Sequence, residues 1–175
     1  MHRFFLIIFF CYLFFSCSRR ENIQQEESRF TLIPVEYSHV SFSNNLSYSE
    51  ELNPYTYRNF YNGAGVAVGD INNDNLPDLY CAGNQVNNKL YLNEGNFKFR
   101  DITQVSGTAC KGVWSTGVAM VDINADGWLD IYVCKSGGPG TGIRHNELFI
   151  NNKDLTFTER SKEYGLDVVG LSTHA

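Results

Sequence analysis

From Gly63 onward, short apolar runs alternate with clusters of Gly, Asn and Asp, and no long stretch keeps a 3.6-residue apolar period. Runs of this length, rich in aromatic and β-branched residues and bounded by turn formers, predict strands. Two stretches repeat the same order: "GAGVAVGDINNDNLPDLY" lines up with "STGVAMVDINADGWLDIY", and "NKLYLNEGNFKFRDITQVSG" with "NELFINNKDLTFTERSKEYG". Each unit predicts a small-residue strand, an Asp-rich loop, and a second strand (79–82; 131–134). A variable loop, a third strand (89–93; 147–151), a turn and a fourth strand (97–102; 157–160) follow.

Four short strands repeated at about fifty residues are the signature of β-propeller blades. Calcium-binding β-roll repeats have a far shorter period and do not fit. The chain is therefore expected to be all-β, with a propeller segment over 29–175 made of repeats at about 63–113 and 114–170. "LSTHA" (171–175) lines up with "WSTGVA" at Trp114, so a third repeat is expected to begin at 171. "FTLIPVEYSHVSF" (30–42) predicts one or two strands, available as an outer strand of a neighbouring blade. Blades cover their faces with neighbours, so the expectation is two full blades from the N-terminal part of a longer propeller.

The Asp loops carry the chemistry. Their first aspartates, Asp70 and Asp122, lie 52 residues apart. Numbered from that Asp, side-chain oxygens fall at positions 1, 3, 5 and 9: Asp70, Asn72, Asp74 and Asp78, then Asp122, Asn124, Asp126 and Asp130. Position 7, Leu76 or Trp128, offers only its backbone carbonyl. The EF-hand loop uses the same early oxygens, and a Gly at position 6, to surround calcium. Here position 6 is Asn75 or Gly127, the residue types that best tolerate a left-handed backbone. The bidentate Glu at position 12 is missing, since Cys81 and Val133 stand there. Hard oxygen donors favour Ca²⁺ over zinc, and two ions are expected, with affinities on the order of 10⁻⁴–10⁻³ M. The competing reading is a pair of Asx-rich turns with no ion. Unneutralised aspartates crowded into one loop repel each other, which weighs against it.

Composition adds three exclusions. The net charge of −5 provides no footprint for nucleic acid, and six of the 19 acidic residues sit in the two loops. Beyond the first seventeen residues, no segment approaches the ~18 apolar residues of a membrane span. Cys81, Cys110 and Cys134 form no CxxC, and read as small buried hydrophobes.

The N-terminus is of another kind. "MHRFFLIIFFCYLFFSC" (1–17) has a basic start, an apolar run and a small residue before Cys17, the layout of a secretory signal. It resembles a bacterial lipobox, which implies lipid attachment at Cys17 and anchoring to the outer membrane or cell surface. Phe14 departs from that motif, and plain secretion or a periplasmic location is the alternative; both mean export. "SRRENIQQEES" (18–28) is too polar to bury a core and reads as a flexible tether.

The run "NGAGVAVGDINNDNLPDLY" and its partner "WSTGVAMVDINADGWLDIYV" resemble the FG-GAP/VCBS repeat family. That resemblance implies a β-propeller with calcium held at the positions just named. "GNQVNNKLYLNEG" with "RHNELFINN" is similar to bacterial surface proteins that end in an ASPIC/UnbV domain, a part absent from this chain. Departures are Asn75 for Gly, and Gly63-Ala64-Gly65 where the family name implies Gly-Ala-Pro.

Three functional readings follow. The first is a calcium-stabilised surface binding or adhesion module whose partner is a surface protein or a carbohydrate. In it, the loop from Lys135 to Asn146 or the aromatic cluster Tyr55, Tyr57, Phe60 and Tyr61 touches the partner. The second is part of a polysaccharide-active enzyme. The spare Glu50, Glu51, Glu94, Glu147, His39, His145 and His174 show no catalytic spacing, however, and only Arg144-His145 forms a pair to test. The third is a purely structural segment of a surface assembly. The chain is read as a binder, not an enzyme.

Overall fold

The computed structural model describes residues 29–111, 114–136 and 145–174. The signal segment, Cys17, the tether and Arg144 lie outside them. The compact unit Ile33–Ala175 holds two antiparallel four-stranded sheets. The first runs β1 (Val66–Gly69), β2 (Asp78–Cys81), β3 (Lys89–Asn93), β4 (Phe99–Asp101) in spatial as in chain order. The second repeats it with β5 (Trp114–Val121), β6 (Asp130–Ser136), β7 (Glu147–Asn151) and β8 (Phe157–Glu159). Register is the same in both: Leu79 faces Tyr91 and Ile131 faces Phe149 across the second and third strands. Two helical turns, α1 (Val35–Ser38) and α2 (Thr103–Ser106), complete the elements among the described residues.

Alternation along each strand sends one set of side chains into the space between the sheets. Tyr80, Leu90 and Leu92 of the first sheet, with Ala67 and Ile71, meet Ile131, Val133, Phe149 and Phe157 of the second. Leu90 and Ile131 are fully buried, and each such side chain contributes about 1.5–3 kcal/mol through removal from water. The opposite set, Cys81, Tyr91 and Phe99, packs under Val40 and Phe42.

That last contact corrects one expectation. Residues 30–42 form no strand; they run irregularly around the single turn α1. Pro34 starts that turn, and His39 closes it with a left-handed backbone (φ 60°). Its end, Val40 and Phe42, covers the outer face of the first sheet instead of extending a sheet edge. An apolar sheet face is stabilised by such a cover, which removes it from water. The predicted fourth strand also begins late, because Asn96 and Phe97 take positive φ in the turn before Phe99.

The sheets join along their first strands. Gly65 N donates to Thr116 O at 2.6 Å and Ser115 N to Gly83 O at 3.0 Å. A Cβ on Gly65 would stand 2.9 Å from that Thr116 oxygen. A proline there would lack the N–H altogether, which gives Gly63-Ala64-Gly65 a physical reason. Ser172 N donates to Lys135 O at 3.0 Å, as Ser115 N does to Gly83 O. Tyr57 and Phe60 belong to packing, closing on Trp114, while Tyr55 and Tyr61 are exposed. All three described cysteines are buried and free, and burial pushes the Cys110 thiol up to about 12.

A second repeated device is polar. Asn88 accepts from Gly83 N at 2.8 Å and donates to the Tyr80 hydroxyl at 2.8 Å, which donates to Thr108 O at 2.7 Å. Asn146 accepts from Lys135 N at 2.8 Å and donates to Tyr132 at 2.8 Å, which donates to Leu166 O at 3.2 Å. Each chain ties the loop between second and third strands to the segment after the fourth. Asn88→Ala orphans a buried N–H and is expected to lower unfolding free energy by about 1–3 kcal/mol. The urea midpoint measures this; an unchanged midpoint would show that the network contributes nothing.

Candidate metal loops

The two Asp loops connect β1 to β2 and β5 to β6. In the first, Asp70 accepts backbone N–H groups from Asn72 (3.3 Å), Asp74 (3.2 Å) and Asn75 (2.7 Å). In the second, Asp122 accepts from Asp126 (3.0 Å) and Gly127 (2.8 Å). The position-5 carboxylate then accepts the position-7 N–H, from Leu76 at 2.8 Å and Trp128 at 3.0 Å. It also accepts the position-3 amide, from Asn72 at 2.9 Å and Asn124 at 3.2 Å. Positions 4 and 6 are left-handed in both loops: Asn73 and Asn75 at φ 58° and 66°, Ala125 and Gly127 at 57° and 84°. Two left-handed residues in five curl the chain tightly enough for these bonds to close.

Position 9 behaves differently. Asp78 and Asp130 are fully buried. Asp78 accepts from Ile71 N at 2.9 Å and from Asn93 N at 2.7 Å, one bond per oxygen. Asp130 accepts from Ile123 N at 3.1 Å and Asn151 N at 2.8 Å. Burial raises both carboxyls above the usual range, opposed by these N–H groups and reinforced by the neighbouring aspartates. Each therefore latches the start of its loop to the third strand of its own sheet.

Three partners are not legible from motif spacing. Asn151 donates to Ile71 O (2.8 Å) and Leu129 O (3.1 Å), so the second sheet holds the first loop from across the sheet junction. Asn73 donates to Gly127 O at 3.1 Å, joining the loops directly. Lys153 stands 3.2 Å from Asp126.

The donor set suits a hard cation. Every side chain and carbonyl named at positions 1, 3, 5, 7 and 9 offers oxygen. Among the described residues, no three His, Cys, Asp or Glu side chains form a metal-ligating group. A cation here would draw on the asparagine amide and the position-7 carbonyl as well as carboxylates. The spare acids and histidines do not gather. Glu94 pairs with Arg100 at 2.7 Å, and Glu147 stands 2.8 Å from the buried Lys135. Glu50 and Glu51 are exposed, and His145 Nδ1 lies 3.1 Å from Asn146 O.

Comparison with known proteins bears on the repeat that carries both loops. Residues 70–133, spanning both loops, match the family described as FG-GAP-like repeat. Cartilage acidic protein 1 of Xenopus tropicalis is 36% identical over 88 residues, which is 50% of this chain and 13% of that protein. The Mus musculus form is 35% identical over 77 residues, 44% of this chain and 12% of its own length. Integrin alpha-8 of Gallus gallus is 34% identical over 107 residues, 53% of this chain and 10% of that protein. The chain thus spans about an eighth or less of these relatives. Its two sheets are β-propeller blades, matched across both Asp loops by the FG-GAP-like repeat.

Proposed function

We propose that this chain is an exported, calcium-binding propeller segment that serves as a surface interaction or adhesion module. The observation that carries the reading is the shared bonding pattern of two loops whose donors are hard oxygens, with the N–H groups of positions 5 and 6 on position 1 and that of position 7 on position 5 in both, joined to each other through Asn73 and Gly127. Asp70, Asn72, Asp74, the Leu76 carbonyl and Asp78 would hold one Ca²⁺. Asp122, Asn124, Asp126, the Trp128 carbonyl and Asp130 would hold the other. The ion supplies positive charge that relieves repulsion among the carboxylates and fixes the hairpins. The protein's own part is to keep the oxygens turned inward through the N–H bonds to Asp70 and Asp122.

Export rests on the signal-like first seventeen residues, and a lipid anchor at Cys17 would place the module on the membrane surface. Among the described residues, no helix is long and apolar enough to cross a membrane. A protein or carbohydrate partner would meet the loops, which are displayed on rigid hairpins. One concave surface available to it is a cleft of about 570 Å³, lined by residues that include Tyr57, Asn62, Gly65 and Thr116. Likeness to an integrin subunit over half of the chain supports this reading.

Calcium at ~10 mM is expected to stabilise the fold by about 1.5–3 kcal/mol per site, seen as a rise in Tm over an EDTA-treated sample. The double variant Asp74→Asn, Asp126→Asn should lose that rise while keeping its Tm in EDTA. An equal response in variant and parent would refute the assignment. Asp78→Asn should behave in the opposite way. An amide places a donor against a backbone N–H, so about 1–3 kcal/mol is lost even in EDTA. An unchanged EDTA Tm for that variant would show that Asp78 is not a latch.

A further inference from the structure

The two loops differ at one neighbour. Asn93 and Asn151 occupy the same place at the ends of β3 and β7, and each accepts an N–H from the residue two positions on. In the first sheet that residue is Gly95, at 2.9 Å; in the second it is Lys153, at 2.8 Å. Both take a left-handed backbone, with φ 84° for Gly95 and 70° for Lys153. Glycine adopts that conformation freely, whereas a lysine is strained there. Retained strain of this kind points to a use for the side chain. Lys153 reaches the position-5 carboxylate of the second loop, with Nζ 3.2 Å from Asp126 Oδ2. Asp74, the matching carboxylate of the first loop, has Gly95 in the corresponding place and so no such ammonium.

We infer that Lys153 makes the two loops unequal: it acts as a built-in competitor for Asp126, so the first loop fills with calcium first and the second only at higher concentration. This rests on the calcium reading above. A divalent ion entering the second loop meets the ammonium as a like charge and must share or displace it from one donor oxygen. Among the described residues, the first loop has no such barrier. The pair is partly exposed, with side-chain exposures of 46% and 27%. Its effect is therefore moderate, about three- to tenfold in affinity at low ionic strength, and shrinks with added salt. The second loop would then report a higher range of calcium than the first.

The loops can be read separately. Trp128 is position 7 of the second loop, and Leu76 holds that place in the first. Terbium, a hard oxygen-seeking ion of calcium-like size, emits when a ligand-bearing tryptophan transfers energy to it. The terbium emission that is excited through Trp128, and so lost in Trp128→Phe, is weighted to the second loop, while calorimetry with Ca²⁺ follows both. The full chain, Lys153→Gly and Lys153→Arg are titrated in low-salt buffer. Lys153→Gly installs the blade-one residue and relieves the strained backbone, so it should fold at least as well as the parent. The expected result is a three- to tenfold lower terbium midpoint for Lys153→Gly, with Lys153→Arg near the parent value. The parent should also show two calorimetric affinities that converge in Lys153→Gly. Terbium emission with an unchanged midpoint in Lys153→Gly overturns the competitor role and leaves the metal loops standing. Absence of both emission and heat from folded protein removes the calcium reading and this inference with it.

Discussion

Each blade is organised around a carboxylate that never reaches solvent. Asp78 and Asp130 each accept one N–H from the start of their loop and one from the third strand. A buried charge is costly unless it is hydrogen-bonded, and two backbone donors per carboxylate meet that condition. Because the second strand starts at this residue, its register against the third strand and the position of the loop are set together. Without the latch, the Asp loop would be a flexible connection between β1 and β2, and its oxygens would not be held in common.

The polar chains through Asn88 and Asn146 act at the other end of the same hairpins. A blade is thus clamped at both ends of its second and third strands, with apolar packing between. The blade faces then meet through side chains chosen by strand alternation, while Gly65 permits close approach of the first strands. Asn151 completes this by donating across the junction to the first loop. The loop environment is therefore a property of the pair of blades, which is why a single loop motif would not reproduce it.

Much of this was legible in the sequence. The repeat placed both sheets and the third strands to the residue, because turn chemistry and strand alternation are local. The left-handed positions at Asn75 and Gly127 were equally local, read from residue type alone. The N-terminal segment is the exception: "FTLIPVEYSHVSF" alternates like a strand, but Pro34 and the turn at His39 break it, and Val40 and Phe42 are needed as a cover. Position 9 is legible as an oxygen donor, but its role as a buried latch is not, because motif spacing counts oxygens and says nothing of burial. Asn73, Asn151 and Lys153 carry no motif at all. Their roles come from blade-to-blade contact, although comparing Gly95 with Lys153 across the repeat would have exposed the charge difference.

The Asp78 and Asp130 latches hold the loops in shape without an ion. Amide hydrogen exchange followed residue by residue in EDTA-treated protein tests this directly. The N–H groups of Ile71, Asn93, Ile123 and Asn151 should exchange as slowly as the strand amides of the core, such as Leu90. Exchange of those four at the rate of an unprotected loop, in protein whose strands remain protected, would contradict it.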